Sequence, residues 1–197
     1  AMYYREKART YRDLPLRFAE CSQICLPGDE GRLWGIFDST LVYSDSAHIF
    51  CIPEELEKEI ISSLQFIDKF IKIFGFEHHW YLCGRSQKIS RTLNRWNKVR
   101  EIYIKAFEAA DISFTEEKGS SVVGPYAEAM LVDSAGRQWK GPKIGLDFNC
   151  PERFELRYQG QDGKTHVPVM LARTLFGSFE RFAAVLVEHY AGHFPVW

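Results

Sequence analysis

The chain has 197 residues, of which 46% are hydrophobic and 26% are charged, and its formal net charge is -1. This length suffices for one domain with a full hydrophobic core, and the balanced charge excludes a globally basic nucleic-acid-binding protein. The 5 cysteines are scattered, and no apolar run is long enough to cross a bilayer. These features predict a cytoplasmic protein without membrane contact.

The first predicted element is a loop over residues 44–53 that leads into a helix. Apolar side chains then recur at three- and four-residue spacing as far as Phe74, which predicts an amphipathic helix that ends at Gly75. His78 and His79 are expected in the loop that follows. A short apolar strand is predicted over residues 80–83.

A second amphipathic helix is predicted over residues 90–111, with cations opposite its apolar stripe. A cationic face of this kind is typical of a solvated surface, and contact with nucleic acid is the alternative. Its members are Arg91, Arg95, Lys98, Arg100 and Lys105.

The last third of the chain is dominated by strand and turn signals. Strand-like runs over residues 121–148 flank a turn at 133–136, which predicts a β-hairpin. A turn at 159–164 precedes an apolar strand at 167–171, and the last helix starts at Gly177. Strands joined by hairpins, with helices between them, indicate an α+β fold with an antiparallel sheet.

Several blocks of sequence form a set that is more specific than any one of them. They are residues 11–20, the run Ala47-His48-Ile49-Phe50-Cys51, the run Leu146-Asp147-Phe148 with residues 151–154, and residues 177–182 and 188–197. In order and spacing they resemble the catalytic core of threonyl-tRNA synthetases, which belong to class II. The resemblance implies a six-stranded antiparallel sheet flanked by helices, in a single domain over residues 1–197 that lacks motif 1 and the editing and anticodon-binding domains.

The resemblance also implies that the residues that hold ATP in this family are mostly lost. The motif 2 arginine and glutamate correspond to Leu26 and Gly28, a second ATP arginine to Asp38, and the aromatic that stacks on adenine to Val42. Arg181 corresponds to the motif 3 arginine. It is either a remaining ATP ligand or one half of an ion pair with Asp38.

The family's zinc and amino-acid sites are changed as well. Of the family's Cys, His and His ligands, His48 alone is expected here, because the second histidine corresponds to Ala172 and the cysteine lies outside this sequence. One imidazole does not hold zinc tightly. The family's pocket lysine corresponds to Tyr126, and the acidic residue two positions later is Glu128.

The predicted site is therefore a vestigial pocket, with no catalytic residue assigned and no cofactor expected, although the family uses ATP and zinc. Its members are Leu26, Asp38, His48, Tyr126, Glu128, Ala172 and Arg181. Arg181 is the one residue proposed to contact a cofactor.

Other sets of side chains have metal-ligand character. Cys21, Cys25, His48 and Cys51 form one alternative, but in a strand His48 and Cys51 point to opposite faces. His189 and His193 lie four residues apart on the predicted last helix, and the pair at His78 and His79 is the third set. Structural or surface roles are the competing interpretation for all of them.

Three functions fit these observations. The first is a synthetase paralogue without catalysis that binds a small molecule or a protein, since scaffold blocks persist while site residues are lost. The second is an active ATP-dependent ligase that activates an amino acid, or the catalytic part of a split threonyl-tRNA synthetase. The third is a homodimer formed through a surface that the family does not use, such as an exposed sheet edge. Binding of tRNA is not expected.

Overall fold

The computed structural model describes residues 1–25, 35–85, 93–121 and 124–196. The helices are α1 (Met2–Arg5), α2 (Leu56–Ile73), α3 (Leu93–Ala109), α4 (Asn149–Arg153) and α5 (Phe179–His189). The strands are β1 (Leu16–Cys25), β2 (Leu41–Cys51), β3 (Glu77–Arg85), β4 (Phe114–Ser121), β5 (Tyr126–Val132), β6 (Gln138–Asp147), β7 (Tyr158–Gln159), β8 (Thr165–His166) and β9 (Val169–Thr174).

A seven-stranded sheet organises the fold, in the order β1-β2-β9-β6-β5-β3-β4. Its neighbouring strands are antiparallel except for β3 and β4, which are parallel. The α+β prediction is confirmed. The expected six antiparallel strands are corrected to seven with one parallel pair, because the crossover helix α3 returns the chain beside β3.

Helices α2 and α3 cover one face of this sheet. Ile60, Leu64 and Ile67 of α2 are fully buried, and they belong to the same apolar cluster as Tyr103 of α3 and Ile144 of β6. The Tyr103 hydroxyl donates a hydrogen bond to the Ile144 carbonyl at 3.2 Å. Since successive strand residues point to opposite faces, the residues between these core positions face the other side of the sheet.

Most predicted elements are present. The helix that was predicted to end at Gly75 is α2, the 133–136 turn joins β5 to β6, and the last helix is α5 with Ser178 as its N-cap. The helix predicted over residues 90–111 is α3, and residues 90–92 lie outside the described part of the chain. None of the described helices has the length and apolar character needed to span a membrane.

Three local predictions are wrong. Residues 44–51 belong to strand β2 rather than to a loop, because β1 and β9 pair with both edges of that strand and override the turn preference of its serines and Asp45. His78 and His79 lie within β3, whose neighbours are β4 and β5. Strand β4 was not predicted, since its polar sequence gives no strand signal.

Candidate functional site

The face of the sheet away from α2 and α3 brings several predicted pocket residues into one row. His48, Ala172, Gly145 and Tyr126 are successive Cα partners across β2, β9, β6 and β5, and Cys83 of β3 continues the row. Directly paired strand residues point to the same face. The sheet therefore places His48, Ala172 and Tyr126 side by side.

A cavity of about 240 Å³ lies beside this row, between the sheet and the start of α5. Thr174, Lys143 and Glu128 are successive Cα partners across β9, β6 and β5, and all three line the cavity. Arg181 of α5 and Ser44 of β2 close its other side. Of the predicted pocket residues, Glu128 and Arg181 therefore line the cavity itself.

The Arg181 guanidinium is occupied within the protein. Its Nη2 lies 3.0 Å from Asp38 Oδ1, and its Nε donates a hydrogen bond to the Phe37 carbonyl at 2.7 Å. Of the two alternatives for this arginine, the ion pair with Asp38 is the one present. Asp38 thus offsets the charge of Arg181.

Two carboxylates of the motif region anchor the wall of the cavity. Asp45 accepts hydrogen bonds from the backbone N–H groups of Leu175, Phe176 and Gly177 at 2.6, 2.9 and 2.9 Å. Glu180 accepts from the backbone N–H of Tyr43 at 3.0 Å. Strand β2 is thereby tied to the segment between β9 and α5. Sequence reasoning missed Asp45, because residues 44–53 were predicted as a loop and their place in β2 was not recognised.

Lys143 was also missed by sequence reasoning. Its Nζ lies 3.7 Å from the centroid of the Tyr126 ring, which is a close cation–π contact. The Tyr126 hydroxyl donates a hydrogen bond to the Cys83 sulfur, so both the face and the hydroxyl of Tyr126 have partners. The only sequence signal for Lys143 was that it lies between apolar residues in the predicted hairpin, where side chains alternate between the two faces.

The residues around His48 do not fit the family's zinc. Its partners along the row are Ala172, Gly145 and Tyr126, and none of these is a common zinc ligand. Burial lowers the pKa of the His48 imidazole, which favours its neutral form. Across the described ranges, no group of three or more His, Cys, Asp or Glu side chains is placed to hold a metal ion.

The alternative metal sets are separated in space. On β1, Cys21 and Cys25 fall at odd positions, whereas the partner of His48 is Phe18, so both cysteines lie on the opposite face of the sheet from His48. Cys51 is buried in the core, where burial raises the pKa of its thiol to about 12. The predicted helical spacing of the last histidine pair is wrong, because α5 ends at His189.

The cationic face of α3 is partly neutralised. Arg95 lies 2.6 Å from Glu152, and Arg100 lies 2.6 Å from Glu116. Arg91 lies outside the described residues, as do Leu26 and Gly28 of motif 2.

A larger groove of about 520 Å³ lies elsewhere, between α2, the middle of β3 and the segment before β4. It contains His78, whose Nε2 lies 3.0 Å from Asp68. We place the candidate site at the smaller cavity, because Glu128 and Arg181 of the predicted pocket line it and the row that contains His48 lies beside it.

Comparison with known proteins gives a family and several relatives. Residues 1–190 match the family described as the tRNA synthetase class II core domain (G, H, P, S and T). The chain is 40% identical over 197 residues to the threonine–tRNA ligase of Caldanaerobacter subterraneus and 41% identical to that of Acetivibrio thermocellus. In both cases the match covers 100% of this chain and 31% of the relative, so the chain spans about a third of their length.

The fold comparison gives the same family. A crystal structure described as the RNA binding domain of threonyl-tRNA synthetase from Cryptosporidium parvum Iowa II superposes with a TM-score of 0.94 at 29% identity. The match covers 100% of this chain and 50% of that one.

Proposed function

The chain belongs to the class II tRNA synthetase core-domain family and is threonyl-tRNA synthetase-like, and from this premise we propose that it forms no aminoacyl-adenylate. Instead it acts as a paralogue that binds a small molecule or a protein. We take residues 1–197 as one domain, since one sheet runs from β1 to β9 and a single apolar cluster joins α2, α3 and α5 to it.

The observation that carries this proposal is the Arg181–Asp38 pair. Adenylate formation needs fixed cations on the phosphates of ATP, where negative charge is transferred. Here Asp38 and the Phe37 carbonyl bind the guanidinium of Arg181. The two charges of this pair offset each other, so a phosphate meets a neutral ion pair there rather than a fixed cation.

The motif 2 sequence supports the same conclusion. Leu26 and Gly28 stand where the family resemblance expects the α-phosphate arginine and the adenine-binding glutamate. Neither side chain carries a charge or a hydrogen-bonding group. The nucleotide therefore loses three polar contacts at Leu26, Gly28 and Asp38 together.

Calorimetric titration with magnesium ATP tests this proposal. We expect no saturable heat at millimolar nucleotide, whereas the Caldanaerobacter ligase, titrated in parallel, serves as the positive control. The variant Asp38→Arg should restore at most weak binding, because the motif 2 contacts are still missing. Saturable binding of ATP to the unmodified chain, at one site per chain, contradicts the proposal.

A second candidate is an active amino-acid-activating ligase, or the catalytic part of a split threonyl-tRNA synthetase. One finding favours it: the named relatives are threonine–tRNA ligases at about 40% identity. A second chain in such an enzyme does not change Leu26, Gly28 and Asp38 on this one. Threonine-dependent formation of adenylate, alone or with a partner, distinguishes this candidate from the first.

A further inference from the structure

Two lysines of β6 line the cavity, Lys140 and Lys143. We propose that Lys143, whose ammonium lies over the Tyr126 ring, binds the acidic group, carboxylate or phosphoryl, of a small ligand. This inference rests on the proposed function, because it assumes that the cavity binds a ligand without adenylate chemistry.

Lys143 lies at the junction of the cavity and the row that contains His48. It is the Cα partner of Thr174 on one side and of Glu128 on the other, near the middle of the sheet. Its ammonium lies over the Tyr126 ring, which the contact with Cys83 holds in place. A lysine held in this way loses less conformational entropy on binding an anion than a free surface lysine does.

The charge of Lys143 is available, whereas that of Arg181 is not. In the part of the chain that the structure describes, the Lys143 ammonium forms no ion pair, and its one charge contact is the face of Tyr126. Arg181, by contrast, is bound through Nε and Nη2 to Phe37 and Asp38. The positive charge that is left for a ligand therefore lies on β6, near the centre of the sheet, and not on α5.

The surroundings of Lys143 limit the size and charge of the ligand. The cavity volume of about 240 Å³ is below the range of roughly 300–1,000 Å³ that is usual for ligand pockets, which favours a small molecule. The Thr174 hydroxyl lines the same space and can donate to an acidic oxygen, whereas the Ser44 hydroxyl donates to the Asp45 carbonyl at 3.1 Å. Glu128 also lines the cavity, and its negative charge repels an acid. The affinity for an acid should therefore depend on the charge of Glu128.

These features predict opposite effects for two substitutions. Calorimetric titrations use inorganic phosphate and, separately, sodium succinate, at low ionic strength and constant pH. We expect one of the two acids to bind saturably, which distinguishes a phosphoryl from a carboxylate ligand. Lys143→Met should weaken its Kd about tenfold or more, and Glu128→Gln should tighten it about threefold. Lys143→Arg, which keeps the charge, should stay within about threefold of the unmodified chain.

The control variant is Lys105→Met, which removes one exposed lysine of α3 that is remote from the cavity, and far-ultraviolet circular dichroism verifies that each variant is folded. The inference is overturned if Lys143→Met and Lys105→Met bind the acid with equal affinity. It is also overturned if the unmodified chain binds neither acid. Binding of magnesium ATP, measured on the same samples, overturns the proposed function instead. Failures of the two proposals are therefore distinguishable.

Discussion

At the scale of single residues, Asp45 links the two elements that bound the cavity. Its carboxylate accepts three backbone N–H groups from the connection between β9 and α5. Hydrogen bonds to a charged acceptor are stronger than neutral ones, and a buried donor that loses its acceptor pays its full desolvation cost. Asp45 therefore contributes to stability from the face of the sheet opposite to His48.

The substitution Asp45→Ala should lower the free energy of unfolding by about 2–4 kcal/mol, because three backbone donors lose their acceptor at once. Urea denaturation monitored by tryptophan fluorescence measures this loss. The matched control is Asp162→Ala, which removes an exposed carboxylate that bonds to Lys164 and His166 in the β7–β8 turn. A loss for Asp45→Ala no larger than that for Asp162→Ala contradicts the anchoring role.

His48 gives a prediction about pH. Burial lowers its pKa below the ordinary value of 6.5, so the unfolded chain binds a proton at a higher pH than the folded chain does. Its contribution to stability is therefore complete above about pH 6.5 and falls as the pH is lowered from there towards the folded-state pKa. We expect His48→Gln to flatten this part of the stability profile, measured by urea denaturation between pH 5 and 8. A profile of unchanged slope contradicts the burial effect.

Residue-by-residue comparison with a family had clear limits at this site. It identified His48, Ala172 and Tyr126, which the sheet places in one row, and it offered the Arg181–Asp38 pair as an alternative. It did not identify Lys143, because that cation reaches Tyr126 from the neighbouring strand. Contacts across strands depend on register, and register was not known from the sequence.

At the scale of elements, the hairpin of β5 and β6 is built on a close approach of two backbones. A Cβ added at Gly124 would lie 1.8 Å from the Leu146 carbonyl oxygen, and the Leu146 N–H donates to the Pro125 carbonyl at 2.9 Å. Main-chain atoms have little freedom to move aside. The glycine before β5 is therefore required by packing rather than by turn geometry.

Gly124→Ala should accordingly destabilise the chain by more than about 3 kcal/mol, at the upper end of overpacking effects. Gly145→Ala is the comparison, since its added Cβ would lie 3.1 Å from the Cβ of Tyr126, so the two strands would need to separate by only a few tenths of an ångström. A loss of about 1 kcal/mol is expected there. Thermal unfolding of both variants provides the test, and equal melting temperatures would argue against the backbone contact.

The helices and the β5–β6 hairpin were predictable, whereas the strands β2 and β4 were not. Apolar periodicity is a local signal, and it is strong in α2, where five of the buried positions belong to one stripe: Leu56, Ile60, Leu64, Ile67 and Ile71. In β2, the strand state depends on partners that are distant in sequence, so Ser44 and Asp45 suggested a loop. Strand β4 lies at an edge of the sheet with β3 as its neighbouring strand, where polar residues can remain in contact with solvent.

At the scale of the whole molecule, β1 forms one edge of the sheet, and among the described strands it pairs with β2 alone. Ile24, Leu41 and Tyr43 near this edge are exposed large apolar side chains. An unpaired edge of this kind invites pairing with another chain, which is the basis of the homodimer hypothesis.

Sedimentation velocity over a range of protein concentrations tests the homodimer. If the β1 edge forms it, Ile24→Lys should shift the population to monomer, while Val187→Lys, at an exposed apolar position on α5, should not. A strict monomer at all concentrations refutes the homodimer and leaves the ligand-binding proposal unchanged.

The central claim is that a threonyl-tRNA synthetase-like core lacks adenylate chemistry because its ATP-binding cations are lost or internally paired. The most direct measurement is threonine-dependent exchange of labelled pyrophosphate into ATP, with the Caldanaerobacter ligase as the positive control. We predict a rate equal to that of the reaction without protein. Exchange that requires threonine and disappears in Arg181→Met would contradict the account.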